Sequence, residues 1–234
     1  DEYSVCEYAQ YLLNGNYSAG TKHMVKTMLD YGAKAQTYFD YKTENLANAG
    51  YELNKEAVVP SETEEMTISG SIAGGSFYGA TLVFRNKVAI RYYFNITGAI
   101  DGYTFTADGQ SCDAQQAGDR YYVEVANINP QELDKAVALT VSDGTDTMEI
   151  SYSPMNYIVR MSAKEDTSDA LKSLLSAMYG YHAAAKAFVE IEETNPEITI
   201  ASHAFTGSWV YNRNGDTAIG PEMSYDGNES TKWN

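Results

Sequence analysis

Residues 3–39 and 152–188 carry nearly the same pattern, and a chain that writes one segment twice folds both copies into one kind of unit. The first copy reads Tyr3-Ser4-Val5-Cys6-Glu7-Tyr8, a polar break, then Met28-Leu29-Asp30-Tyr31-Gly32-Ala33-Lys34-Ala35. The second reads Tyr152-Ser153-Pro154-Met155-Asn156-Tyr157, a similar break, then Ser176-Ala177-Met178-Tyr179-Gly180-Tyr181-His182-Ala183. Tyr3 and Tyr152 are offset by 149 positions and Tyr31 and Tyr179 by 148, so one single-residue gap aligns both ends.

Each copy predicts a helical hairpin. Ser4 and Glu7 have capping-box spacing, in which hydroxyl and carboxylate each take an orphan amide of the first turn. In the second copy Ser153 is the cap, and Pro154 sits at the first helical position, where its missing amide costs nothing. Asn14-Gly15-Asn16 breaks the first short helix, and Ser18 opens a longer one with Met24, Val25, Met28, Leu29, Ala35 and Phe39 at helical spacing. Leu171, Leu174, Leu175, Met178 and Phe188 do the same in the second copy. Gly32 and Gly180 lie mid-helix, where glycine costs about 1 kcal/mol against alanine. Two equivalent helices accepting that cost point to close approach by another helix or strand.

Between the copies the period changes. Val88, Ile90, Tyr92, Phe94 and Ile96 alternate with Ala89, Arg91, Tyr93 and Asn95, which predicts a half-buried strand. Arg85-Asn86-Lys87 reads as its turn from a preceding strand at 80–84. Further strands are expected at 66–72, 103–107, 121–125, 137–141 and 147–151, with turn signals at Asp108-Gly109, Gly118-Asp119 and Asp143-Gly144. Short strands at this spacing predict an antiparallel β-sandwich, so the fold class is α+β, a sandwich flanked by two similar helical hairpins. Residues 51–190 are expected to form one sandwich-plus-hairpin unit. Residues 1–50 are expected to be the helical end of a preceding copy, its sandwich lying upstream of Asp1. One domain whose two helical ends merely look alike is the competing reading.

Within residues 3–189, Tyr31-Gly32-Ala33-Lys34-Ala35-Gln36-Thr37-Tyr38-Phe39, Ile90-Arg91-Tyr92-Tyr93-Phe94 and Tyr121-Tyr122-Val123-Glu124 resemble a helix-plus-sandwich module of secreted multidomain proteins of gut Clostridia. The resemblance brings no activity with it. It implies an extracellular, secreted or cell-wall-associated location in a Gram-positive, polysaccharide-degrading bacterium, with neighbouring modules of the same polypeptide as partners.

An acidic linker, 191–197, precedes a new pattern. In residues 198–234, Ala201-Ser202 and Asp226-Gly227-Asn228-Glu229-Ser230-Thr231-Lys232-Trp233 resemble the opening of a discoidin-like module, the coagulation-factor C-type fold shared with family 32 carbohydrate-binding modules. The resemblance implies the N-terminal part of a β jelly roll that binds glycan of host or plant origin. It also implies a structural Ca²⁺, with Asp226, Asn228 and Thr231 as candidate ligands, since closely spaced side-chain and carbonyl oxygens suit that ion. The bland alternative is a polar turn beside a buried Trp233. Trp209 and Tyr211 could be ligand platforms, though core packing is the simpler role.

The net charge of −16 repels phosphate backbones and argues against nucleic acid and anionic lipid. No stretch approaches the ~20 apolar residues of a membrane span, and with no signal-peptide pattern the chain reads as mature, processed or internal. The twenty tyrosines suit both sheet packing and sugar- or protein-binding surfaces. Cys6 and Cys112 fit no metal or redox motif; a disulfide between them is open, unpaired thiols the commoner outcome. His23, His182 and His203 lie in separate segments without ligand-spaced neighbours. Glu62, Glu64 and Glu65 could supply a glycosidase carboxylate pair, but any acidic chain offers such pairs by chance. Together with these exclusions, the resemblances imply a non-catalytic accessory region of a secreted multimodular bacterial protein that binds glycan or mediates adhesion through the C-terminal discoidin-like module; the alternative is a purely structural stalk between functional modules. Exposed aromatic side chains on one sandwich face would favour binding, and buried tyrosines throughout would favour the stalk.

Overall fold

A computed structural model describes residues 4–53, 55–84 and 88–194, with the backbone alone for 191–194. The described residues belong to one compact unit, Asp1–Thr194. The expected turn at Arg85-Asn86-Lys87 and everything from residue 195 onward lie outside the described residues.

Helices α1 (Val5–Asn14) and α2 (Ala19–Tyr38) come first. Among the described residues nine strands follow: β1 (Thr67–Gly70), β2 (Gly75–Phe84), β3 (Val88–Ile96), β4 (Thr104–Ala107), β5 (Gln110–Cys112), β6 (Ala114–Ala117), β7 (Arg120–Ile128), β8 (Val137–Ser142) and β9 (Thr147–Tyr152). Helices α3 (Pro154–Ala163) and α4 (Asp169–Thr194) close the unit. Both sheets are antiparallel, one of five strands in the order β1-β9-β8-β4-β5 and one of four in the order β2-β3-β7-β6. The fold class is α+β with a sandwich-like pair of sheets.

The alternation in β3 does what its period requires. Ile90, Tyr92 and Phe94 are fully buried, each worth about 1.5–3 kcal/mol of apolar burial. Phe94 meets Phe105 of the other sheet at 5.4 Å between ring centroids. The Tyr92 hydroxyl donates to the Val137 carbonyl at 3.0 Å. Tyr152 is buried nearby, and burial pushes its phenol up to about 12.

Two strands were missed by pattern, β5 and β6. Gln110-Ser111-Cys112 and Ala114-Gln115-Gln116-Ala117 have no apolar alternation; they are held by register against β4 and β7. β2 also starts earlier than its apolar run. A register shift between Phe77 and Gly79 hides its period, and Gly75 opens the strand while Gly74, at φ +65°, makes the turn. Gly70 must be glycine: its φ is +70°, and a Cβ there would lie 2.1 Å from the Thr147 carbonyl oxygen.

The helices divide by core. Met155, Tyr157, Ile158, Leu171, Leu174, Leu175 and Met178 join the sandwich in one continuous core. Ala9, Leu13, Val25 and Leu29 form a second, small one between α1 and α2. α2 also lies along α4, with Tyr31 and Tyr181 stacked at 6.2 Å. The capping box expected at Ser4 is absent: Ser4 sits at the N-cap position but its side chain makes no capping hydrogen bond. The box is formed at Ser153, whose side chain accepts from the Asn156 amide, while the Asn156 side chain accepts from the Ser153 amide at 2.7 Å.

The close approach expected at Gly32 and Gly180 is present, but neither helix nor strand makes it. A Cβ on Gly32 would lie 3.2 Å from Ala47 Cβ, and one on Gly180 would lie 3.0 Å from Ala57 Cβ. Both alanines belong to the connector between α2 and β1. Among the described residues no helix is long and apolar enough to cross a membrane.

Candidate functional site

The alternation that buries one side of β3 turns Arg91, Tyr93 and Asn95 to the other side of the four-stranded sheet. Register then decides what stands beside them. Tyr93 lies opposite Gly79 on β2 and Tyr122 on β7, and Tyr122 lies opposite Gln115 on β6. One row therefore reads Gly79, Tyr93, Tyr122, Gln115. The next reads Thr81, Arg91, Glu124.

Directly opposed cross-strand residues touch. The Tyr93 and Tyr122 rings are 5.7 Å apart, tilted by 43°. The Arg91 guanidinium sits 4.4 Å from the Tyr122 ring centroid and its Nε donates to Glu124 at 2.7 Å. The Tyr122 hydroxyl and the Gln115 side chain are hydrogen-bonded. Arg120 lies 3.7 Å from the centroid of Tyr78, which is 58% exposed on the bulged stretch of β2. These are two arginine-on-tyrosine stacks on one sheet.

Burial works against the Arg91 charge, but hydrogen bonds to Glu124 and Tyr93 outweigh it and raise its pKa above the ordinary arginine value. The Nε of Arg120 is buried without a hydrogen-bond partner. Gly79 presents no side chain beside Tyr93, and a Cβ there would meet nothing within 4 Å. The face thus combines flat rings, an open notch, and fixed donors and acceptors at its margin. Such a surface can stack the apolar face of a ring and hydrogen-bond its substituents.

The outward side of the five-stranded sheet is different in kind. Its rows, such as Ser69, Glu149, Thr140, Thr106, Ser111, carry short hydroxyls and one carboxylate. The two faces of one sandwich are therefore built for different surroundings.

None of the sequence-predicted candidates among the described residues stands on this face. Asp226, Asn228 and Thr231, together with Trp209, Tyr211, Trp233 and His203, lie outside the described residues. Glu62, Glu64 and Glu65 are exposed on the connector, where the Glu64 carbonyl accepts from the Asn156 side chain. His23 is exposed, while His182 is buried with its Nδ1 2.8 Å from the Pro130 carbonyl oxygen. Among the described residues no three His, Cys, Asp or Glu side chains converge on a metal position. Cys6 and Cys112 are free thiols.

A cleft of about 320 Å³ lies between α2, α4 and the connector. Within it Lys34 pairs with Glu56 at 3.3 Å, and Asp30 accepts from the Asn48 side chain at 3.1 Å; no aromatic pair stacked with an arginine lines it. The sheet face is the stronger candidate. The signal for it was present in Arg91-Tyr92-Tyr93 and Arg120-Tyr121-Tyr122. What the sequence did not display was the register that sets Tyr93 beside Tyr122.

Compared with known proteins, the chain matches no protein-family model, no curated protein and no solved structure.

Proposed function

We propose that this chain is a non-catalytic accessory region of a secreted multimodular bacterial protein, and that it binds glycan. The observation that carries the reading is the pair of arginine-on-tyrosine stacks flanking Tyr93 on one outward sheet face. A pyranose ring offers an apolar C–H face to tyrosine and hydroxyls to Arg91, Glu124 and Gln115. Residues 198–234, which resemble the opening of a discoidin-like module, would add a second glycan contact, with Ca²⁺ held by Asp226, Asn228 and Thr231 as a structural ion.

The stalk reading draws support from the tyrosines that pack inside. Tyr92, Tyr152 and Tyr157 are core residues rather than surface ones. One experiment separates the two. The whole chain is screened on polysaccharides by affinity electrophoresis and on a glycan array, beside Tyr93→Ala/Tyr122→Ala. The expected result is binding by the native chain and loss of about tenfold or more in the double variant, since each stacked ring is worth about 1 kcal/mol or more. Equal binding by both moves the site to residues 198–234. Failure of the native chain to bind any glycan supports the stalk.

A further inference from the structure

Helices α1 and α3 occupy equivalent places in the two copies. Each has ten residues, follows a serine N-cap, and is related to the other by the offset of 149 that joins Tyr3 to Tyr152. Their surroundings are opposite. In α3, Met155 is 4% exposed and its amide donates to the Leu133 carbonyl at 2.8 Å. Tyr157 is 9% exposed, its ring edge-on to Phe84 of β2 at 6.4 Å. Arg160 donates to the Ala80 carbonyl at 3.1 Å. Through these residues α3 sits on the sandwich.

The same positions in α1 are Cys6, Tyr8 and Tyr11, and all three are exposed. Tyr8 is 58% exposed where Tyr157 is buried, and Val5 is 67% exposed where Pro154 is buried. The opposite side of α1 is satisfied, since Ala9 and Leu13 pack into the small core with α2. Among the described residues no sandwich lies against this side of α1 as one lies against α3.

We infer that the exposed side of α1, made by Val5, Cys6, Tyr8 and Tyr11, is a docking surface for a β-sandwich of the same kind as that of residues 67–152. The occupant follows from the repeat. A second folded copy of this chain has no place to offer, because its own α3 already covers the equivalent site. The sandwich that fits is one whose last strand runs directly into Ser4, as β9 ends at Tyr152 and Ser153 caps α3. Tyr8 would then pack on that sandwich as Tyr157 packs on Phe84. The Tyr11 hydroxyl would take the carbonyl that Arg160 takes here. Tyr8 stacks on Tyr11 and Tyr11 meets Tyr17 edge-on, yet Val5, Tyr8 and Tyr11 stay mostly exposed, and an apolar patch of that kind on one helix marks an interaction surface. This inference is independent of glycan binding.

The test asks whether the α1 face fits such a sandwich, using the one the chain contains. In a Cys112→Ser background, residues 154–163 are replaced by the sequence of residues 5–14, which places a thiol at position 155. A second variant, Pro154→Val/Met155→Cys/Arg160→Tyr, transfers only the sandwich-facing residues and keeps Ile158 and Ser162 in place. Thiol labelling is followed with a maleimide, with Cys6 as the internal exposed reference, together with urea unfolding. The expected result is cooperative unfolding and a thiol at 155 that reacts about tenfold or more slowly than Cys6. A thiol at 155 as reactive as Cys6, or loss of cooperative unfolding, in both variants overturns the inference.

Discussion

Gly180 is the sharpest test of how the helical layer is held. Glycine in the middle of α4 costs about 1 kcal/mol against alanine, so helix propensity alone says Gly180→Ala stabilises. The structure says otherwise. The new Cβ would lie 3.0 Å from Ala57 Cβ, well inside the ~3.5–4.0 Å of an ordinary carbon contact. Ala57 cannot simply retreat. Its carbonyl accepts from the Ser176 hydroxyl at 2.6 Å, one turn earlier on the same helix, so moving the connector strains a hydrogen bond worth about 1 kcal/mol. Overpacking of this kind costs about 1–3 kcal/mol. The net expectation for Gly180→Ala is a loss of about 0–2 kcal/mol, and a larger loss for Gly180→Leu. The decisive measurement is a double-mutant cycle with Ala57→Gly, read by urea unfolding of the whole chain. Removing the Ala57 methyl relieves the clash, so the two changes should be coupled by about 1–2 kcal/mol, within the usual range for residues in contact. A Gly180→Ala variant stabilised by the full propensity term, with no coupling to Ala57, would refute the reasoning.

Three further outcomes are expected. Gly32→Ala should behave like Gly180→Ala but more mildly, because its contact to Ala47 Cβ is 3.2 Å; the same cycle with Ala47→Gly measures it. Tyr157→Ala should cost about 3–5 kcal/mol in urea unfolding as a large-to-small core change, while Tyr8→Ala at the equivalent exposed position should stay within about 0.5 kcal/mol; comparable losses at both would contradict the difference in burial. Asp143 accepts hydrogen bonds from the amides of Asp146, Ala73 and Thr145, which hold its carboxyl below the ordinary carboxylate range. A depressed folded-state pKa stabilises the fold above the ordinary carboxylate pKa, and that stability is lost as pH falls through the folded value. Asp143→Asn should therefore lower the thermal midpoint at neutral pH and flatten its fall in acid; parallel acid limbs for the two proteins would exclude the effect.

The sequence was most informative where one side of an element is buried. The period of β3 foretold the inward Ile90, Tyr92 and Phe94 because a buried face selects residues at every second position. The long helices α2 and α4 were legible from their apolar stripes, and α3 from the Ser153 cap and Pro154 after it. Where a neighbour rather than burial holds the backbone, the signal vanished, as in β5 and β6. The box at Ser4 failed although its residues were right, because Ser and Glu at that spacing permit a cap without requiring it. The two glycines announced a close contact but not its source, since propensity arguments concern the helix and say nothing about which distant segment crosses it. The site was half legible for a related reason. Arg91, Tyr93, Arg120 and Tyr122 stood in the sequence as aromatic-basic runs, and their convergence depends on a strand register that alternation leaves undetermined.

The connector between α2 and β1 explains why two helical layers with separate cores stay together. A long segment without regular structure is uncommon inside a compact unit unless something fixes it. Here it is fixed at successive points. Gln36 of α2 donates to the carbonyls of Lys42 and Asn45 and accepts from the Ala47 amide at 2.7 Å, which seats Ala47 over Gly32. Further on, Lys34 pairs with Glu56, and Ser176 of α4 holds Ala57 over Gly180. The Glu64 carbonyl then meets Asn156, the residue that completes the cap of α3. The segment is thus attached in turn to α2, α4 and α3. Each glycine is the flat place on which one alanine of the strap can lie, which is why the two helices carry the same costly residue at corresponding positions.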